Sequence, residues 1–376
     1  MNSIQKKYVF HGHSAFLLSG LCSISSGIIV SLLQEKYGFS YSFSGILLSI
    51  MSIGNMAACF VSGILPEKIG QKKSVAVLCS GYFSGYLLMA FFGSPGILAA
   101  AFLLTGIAKG SAINNCTVLV GNNSVNRTKA LSLMHACYAT GAMVCPFVIT
   151  AFMYVNRNLP MSGIAFCGLL MWLVFMTAGL SEKASDSSKK GESDFSFLKS
   201  TRFWLLCSLI FCQNAAETAV TGWLVSYYKG NGILSGNLST YTITVMWAST
   251  LVVRLMIAFV FPVKNAFKAT AIMGLGCSFM YFGLICAKSP VPAVLMLIGF
   301  SAFMAGVNPI GVAGVGSQLS GKSMAVLLPV AGLGQIIMPY LIGVIADSSS
   351  LQTGMMINVI PCAGIFIISR IIPKFL

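Results

Sequence analysis

Acidic side chains are scarce in this chain. It holds eight Asp and Glu among 376 residues, against 23 Lys and Arg, and all charged residues together make up 8%. Soluble domains carry about 25% charged residues, so the shortage excludes an ordinary water-soluble globular domain. Three His and twelve scattered Cys, with no CxxC pair, leave no metal cluster to propose. The cysteines read as small apolar residues filling helix contacts. No nucleophile–base pair and no phosphate loop stands out, so neither an enzyme nor a cofactor is expected. The net charge of +15 is spread over short hydrophilic loops. It is not the basic face of a folded domain, which argues against nucleic acid as a partner. The first apolar run is long enough to span a membrane and lacks a clear small-residue cleavage site, so it does not read as a removable signal.

What is present is hydrophobicity: 56% apolar residues and a mean hydropathy of +0.86. Uncharged runs such as Tyr8 to Gln34, Tyr37 to Pro66, Ala130 to Asn156 and Ser289 to Gly321 exceed the roughly 20 residues a helix needs to cross a bilayer. They do not alternate as barrel strands would. Breakers and charges divide the chain into twelve expected spans: 9–33, 41–65, 74–92, 96–122, 129–154, 160–181, 201–228, 237–261, 267–287, 290–318, 322–346 and 353–373. With the N-terminus inside, seventeen Lys and Arg fall in inner segments and four in outer ones, while Lys109 and Arg254 lie within spans. That asymmetry implies cytoplasmic termini. The fold class expected is an all-α membrane protein of the cytoplasmic membrane, touching lipid over most of its length. Its organisation reads as a six-helix bundle over 1–181, a polar cytoplasmic linker over 182–200 and a second six-helix bundle over 201–376.

The two halves resemble each other weakly. Gly27 to Ser31 matches Gly222 to Ser226, and Gly141, Pro146 and Phe147 match Gly334, Pro339 and Tyr340, at nearly one offset. A duplicated unit is the expectation. Within the spans, Glu217 interrupts an otherwise uncharged stretch from Phe203 to Tyr228. A carboxylate at bilayer depth is costly unless paired, protonated or wetted, so it marks a transport or proton-relay site by default.

The segment Gly63-Ile64-Leu65-Pro66-Glu67-Lys68-Ile69-Gly70-Gln71-Lys72-Lys73 resembles the signature loop of the major facilitator superfamily, with Glu67 where the family pattern usually has Asp. Gly63, Glu67, Lys68, Gly70 and Lys72 are its matching positions, and it is read as a loop between spans 2 and 3. Ala130 to Ala142 with His135, the Glu217…Trp223…Tyr227 pattern, and Ala331 to Asp347 resemble a narrower branch, the fucose permease and glucose/galactose-type sugar–proton symporters. The second-half counterpart of the signature loop, Pro262 to Lys268, lacks its acid, and span 4 carries Lys109 where that branch has acids among its cavity helices.

The resemblance implies that spans 1, 4, 7 and 10 line a central cavity, so Lys109 and Glu217 are expected to share it. There they act either as a coupling switch for a proton or as a static ion pair. Asn114, Asn115, Gln213, Asn214 and Asn308 fall on three of those spans. Amides can serve the hydroxyls of a sugar or tie helices together. Trp223 and Tyr227 could stack on a sugar ring. Arg254 and His135 are expected in structural or gating roles. The leading expectation is a monomeric secondary transporter of a small polar solute, a sugar above all, coupled to protons. Rival readings are an efflux antiporter for amphipathic compounds and a non-transporting membrane receptor.

Overall fold

The computed structural model describes residues 2–181, 196–260, 263–315 and 321–375, and among them every regular element is helical. Among the described residues, twelve helices are long and apolar enough to cross a membrane. Spans 1 to 6 are Ser3–Tyr37, Tyr41–Ile69, Gln71–Phe91, Pro95–Asn123, Lys129–Val155 and Pro160–Thr177. Spans 7 to 12 are Thr201–Gly230, Asn237–Ile257, Ala266–Cys286, Pro290–Val312, Val326–Ser348 and Leu351–Phe375. Lipid offers no partner to a peptide group, so each crossing satisfies its own backbone by helix formation. The expected count of twelve holds. Span 1 begins earlier than expected, because Asn2 and Gln5 form a reciprocal capping box that nucleates the helix ahead of Lys6 and Lys7. The expected linker falls largely outside the described residues; its last part is a short 3-10 turn at Ser196–Lys199.

The signature segment is a correction. It is not an open loop, since span 2 continues through Pro66 to Ile69 and the next helix starts at Gln71. One residue, Gly70, turns the chain, at φ 83° and ψ 154°, a conformation closed to residues with a Cβ. The N–H of Lys72 is satisfied by the carbonyl of Ser181 at 3.0 Å.

The chain forms two compact units, Met1–Gly38 with Ile50–Lys189, and Phe39–Ser49 with Lys190–Leu376. In the first unit, span 1 packs on spans 4, 5 and 6, and span 3 packs on spans 4 and 6. The second unit repeats this arrangement: span 7 packs on 10, 11 and 12, and span 9 packs on 10 and 12. The duplication faint in the sequence is plain in this pattern. Glycine approaches repeat as well. A Cβ on Gly141 in span 5 would overlap the Leu17 carbonyl of span 1, and one on Gly334 in span 11 would overlap the Phe211 carbonyl of span 7. Backbones come this close only where one side has no side chain.

Inside the first unit, tyrosines anchor span 1. Tyr86 Oη donates to the Cys22 carbonyl at 2.6 Å, and Tyr82 and Ser19 share a hydrogen bond of 3.1 Å. Inside the second, Tyr227 Oη donates to the Ile285 carbonyl at 2.8 Å, Tyr228 Oη to Ala293 at 3.1 Å and Tyr281 Oη to Met355 at 2.8 Å. Each apolar ring is buried while its hydroxyl finds a carbonyl, which is what a dry helix contact requires.

Candidate functional site

Span 7 is a continuous helix from Thr201 to Gly230. Residues four apart stand on one face, so Gln213 lies directly beneath Glu217. Gln213 Nε2 donates to Glu217 Oε2 at 2.5 Å. On the other side of the same amide, Asn308 Nδ2 of span 10 donates to Gln213 Oε1 at 3.3 Å. A directed chain results, from Asn308 through Gln213 to Glu217, ending on a carboxylate oxygen. Gln213 is 2% exposed, whereas Glu217 and Asn308 are half-buried. Thr221, one turn further along, returns its hydroxyl to the Glu217 carbonyl at 3.0 Å. A buried amide that faces an acid on one side and an amide donor on the other has a fixed orientation. This is the buried polar arrangement that suits solute or proton binding in an otherwise apolar span.

The other expected amides do different work. Asn214 Nδ2 donates to the Ala331 carbonyl of span 11 at 3.0 Å, and Asn114 Nδ2 donates to the Cys59 carbonyl of span 2 at 3.1 Å. Both bonds cross between helices. Asn115 Nδ2 turns back to Ser111 of its own helix, at 2.9 Å to the carbonyl and 3.1 Å to the hydroxyl. Trp223 has no exposed surface, and its Nε1 donates to the Pro339 carbonyl at 3.2 Å. Tyr227 is 1% exposed. The ring faces expected to stack on a sugar are thus occupied by protein, with Tyr41 lying 6.0 Å from Trp223 between ring centroids. Lys109 is half-buried on span 4.

Among the expected gating residues, Gly63, Glu67 and Lys68 are exposed on the last turns of span 2, and the Lys72 side chain is half-buried. His135 is exposed, with its ring edge-on to Phe16 at 5.5 Å. Arg254 reaches span 10, where its Nε donates to the Ala305 carbonyl at 3.2 Å. Two features escaped the sequence reading. One is the target of Arg254, although Pro309, four residues after Ala305, is a signal that a carbonyl there needs a donor. The other is Asp347, whose carboxylate accepts from the N–H groups of Tyr41 at 2.8 Å and Ser42 at 2.7 Å, capping the start of span 2. No local signal ties positions 306 residues apart.

With the twelve spans and the repeated units in view, the sequence also matches the profile of the Major Facilitator Superfamily over residues 13–331. The chain belongs to the major facilitator superfamily. It is therefore an integral, multi-pass membrane protein. The gallate transporter of Pseudomonas putida is 31% identical over 117 residues, which are 31% of this chain and 26% of that protein. The chain thus spans less than half the length of the first curated relatives it matches. Two solved structures share the fold across the chain. The nucleoside transporter NupG has a TM-score of 0.80 at 13% identity, with 100% of both chains covered. The fucose:proton symporter FucP of E. coli has a TM-score of 0.64 at 15% identity, covering 97% of this chain and 98% of that one. At these identities the likeness carries the fold alone.

Proposed function

We propose that this transporter moves a small polar solute, a sugar or a compound of similar polarity, by alternating access, with Glu217 carrying the coupled proton. The observation that supports the reading is the hydrogen-bonded chain Asn308–Gln213–Glu217, set in a span with no other charge between Phe203 and Tyr228. The Gln213 amide donates to one carboxylate oxygen of Glu217, and a carboxylate has further acceptor positions for a solute hydroxyl or a proton. Lys109, on span 4, is proposed as a second solute-binding or coupling residue. Both termini are placed in the cytoplasm on the lysine and arginine count, and a monomer suffices as the working unit.

A second reading has its own support. Gallate is an aromatic acid, and a relative named as its transporter is 31% identical to part of this chain. Under this reading Lys109 receives the solute's carboxylate, and Glu217 the proton. Uptake of radiolabelled fucose, uridine and gallate into proteoliposomes, with and without an inward proton gradient, separates the two. Glu217→Gln is expected to abolish gradient-driven uptake while leaving exchange of solute across the membrane measurable. Unchanged gradient-driven uptake removes Glu217 as the proton carrier.

A further inference from the structure

Span 10 is interrupted. Its first helix ends at Met304 and the next begins at Val307. Pro309 explains the break: it has no N–H to give to the carbonyl of Ala305, four residues earlier, and its ring pushes that carbonyl aside. Ala305 is 1% exposed, so water is a poor substitute. The missing donor comes from Arg254 on span 8, whose Nε lies 3.2 Å from the Ala305 oxygen. Glycine at 306 leaves room for the bend, since a Cβ there would meet Met273 at 2.7 Å and Ile257 at 2.8 Å. Three residues beyond Ala305 stands Asn308, the outer member of the amide chain.

We infer that Arg254 is a positioning residue for the transport site: by supplying the hydrogen bond that Pro309 cannot, it holds the bend of span 10 so that Asn308 orients the Gln213 amide toward Glu217. The inference deepens, and rests on, the assignment of Glu217 to the site. The geometry suits it in three ways. A kinked helix is held open only where its freed backbone groups find partners. A guanidinium carries several N–H donors in a fixed planar fork, so its Nε–H can be aimed at a single carbonyl. The Asn308 side chain follows the bend within one turn, so a shift of the break moves its amide directly. Removing Arg254 frees the Ala305 carbonyl to drag the bend elsewhere, and the 3.3 Å contact to Gln213 is the first to go.

The test uses the purified full-length protein in lipid nanodiscs and infrared difference spectroscopy. The carboxyl band of Glu217 is identified as the one lost in Glu217→Gln. Arg254→Met is expected to shift that band, because the acid loses its oriented amide donor. Pro309→Ala, whose new N–H closes the Ala305 hydrogen bond and straightens the helix, is expected to shift the band as well, with or without Arg254→Met. A band that does not move in Arg254→Met overturns the inference, as does a band that stays in place in Pro309→Ala. Should Arg254→Met fail to fold, Arg254→Lys, which keeps a charge but loses the Nε–H geometry, gives the same readout. Failure of the coupling assignment is seen separately, in gradient-driven uptake by Glu217→Gln, while the band reports geometry alone.

Discussion

Gly141→Ala and Gly334→Ala should each destabilise the protein, and by similar amounts, because the two glycines occupy equivalent contacts in the two units. The added methyl at 141 overlaps the Leu17 carbonyl and lies 3.0 Å from the Leu21 nitrogen. At 334 it overlaps the Phe211 carbonyl and lies 3.0 Å from the Ala215 nitrogen and 3.2 Å from the Ala215 Cβ. Backbone on the far side cannot rotate away, so the two helices must separate. Overpacking of this kind costs about 1–3 kcal/mol. Replacing a helical glycine by alanine gives back about 0.5–1 kcal/mol through the unfolded chain. The net cost is on the order of 1–2 kcal/mol, or roughly 2–8 °C of melting temperature for a unit of this size. Gly332 provides the contrast. It lies two residues from Gly334 on the same helix, yet a Cβ there meets nothing within 4 Å. Gly332→Ala should therefore melt at or above the native temperature. Thermal unfolding of the four proteins in one detergent is sufficient. If Gly141→Ala and Gly334→Ala melt like Gly332→Ala, the close approach of spans 1 and 5 and of spans 7 and 11 is refuted.

Three further outcomes are expected. Gln213→Leu keeps the volume but removes the donor to Glu217, a hydrogen bond to a charged group worth about 1.5–3 kcal/mol; gradient-driven uptake should fall by roughly 10- to 100-fold, and unaltered uptake would detach Gln213 from the site. Trp223→Ala empties a fully buried site and should cost about 3–5 kcal/mol, whereas Trp223→Phe should cost only about 1 kcal/mol for the lost bond to Pro339; chemical denaturation of the purified proteins distinguishes them. Asp347→Ala removes the acceptor for two N–H groups at the start of span 2. Since Asp347 is exposed, solvent limits the loss to about 1 kcal/mol. Amide exchange at Tyr41 and Ser42 should accelerate about fivefold, and Asp347→Asn, still a capping side chain, should restore most of the protection.

The signature segment illustrates a limit of reading loops from composition. Pro66 and two flanking glycines suggest a turn from Gly63 onward, but the helix runs through Pro66 to Ile69, and within the segment only Gly70 adopts a positive φ. The opposite holds for Pro309, which lies within a span and breaks it. At Pro309 the break is accompanied by room at Gly306 and by a substitute donor, Arg254, which comes from span 8 and is not a property of the local residues.

The number of crossings was determined by the sequence alone, because a bilayer leaves an uncharged stretch of about 20 residues little alternative to a helix. The alignment of Gln213 with Glu217 was equally determined, since both belong to one helix of known pitch. Only the tertiary structure decided that Asn308 completes their chain, that Asn114 and Asn214 instead bind carbonyls of neighbouring spans, and that Trp223 is sealed inside the second unit. Helix pitch fixes which residues of one span share a face. Which neighbouring face they meet depends on the rotation, bend and closest approach of separate helices, and those are set by the combined packing of all their contacts.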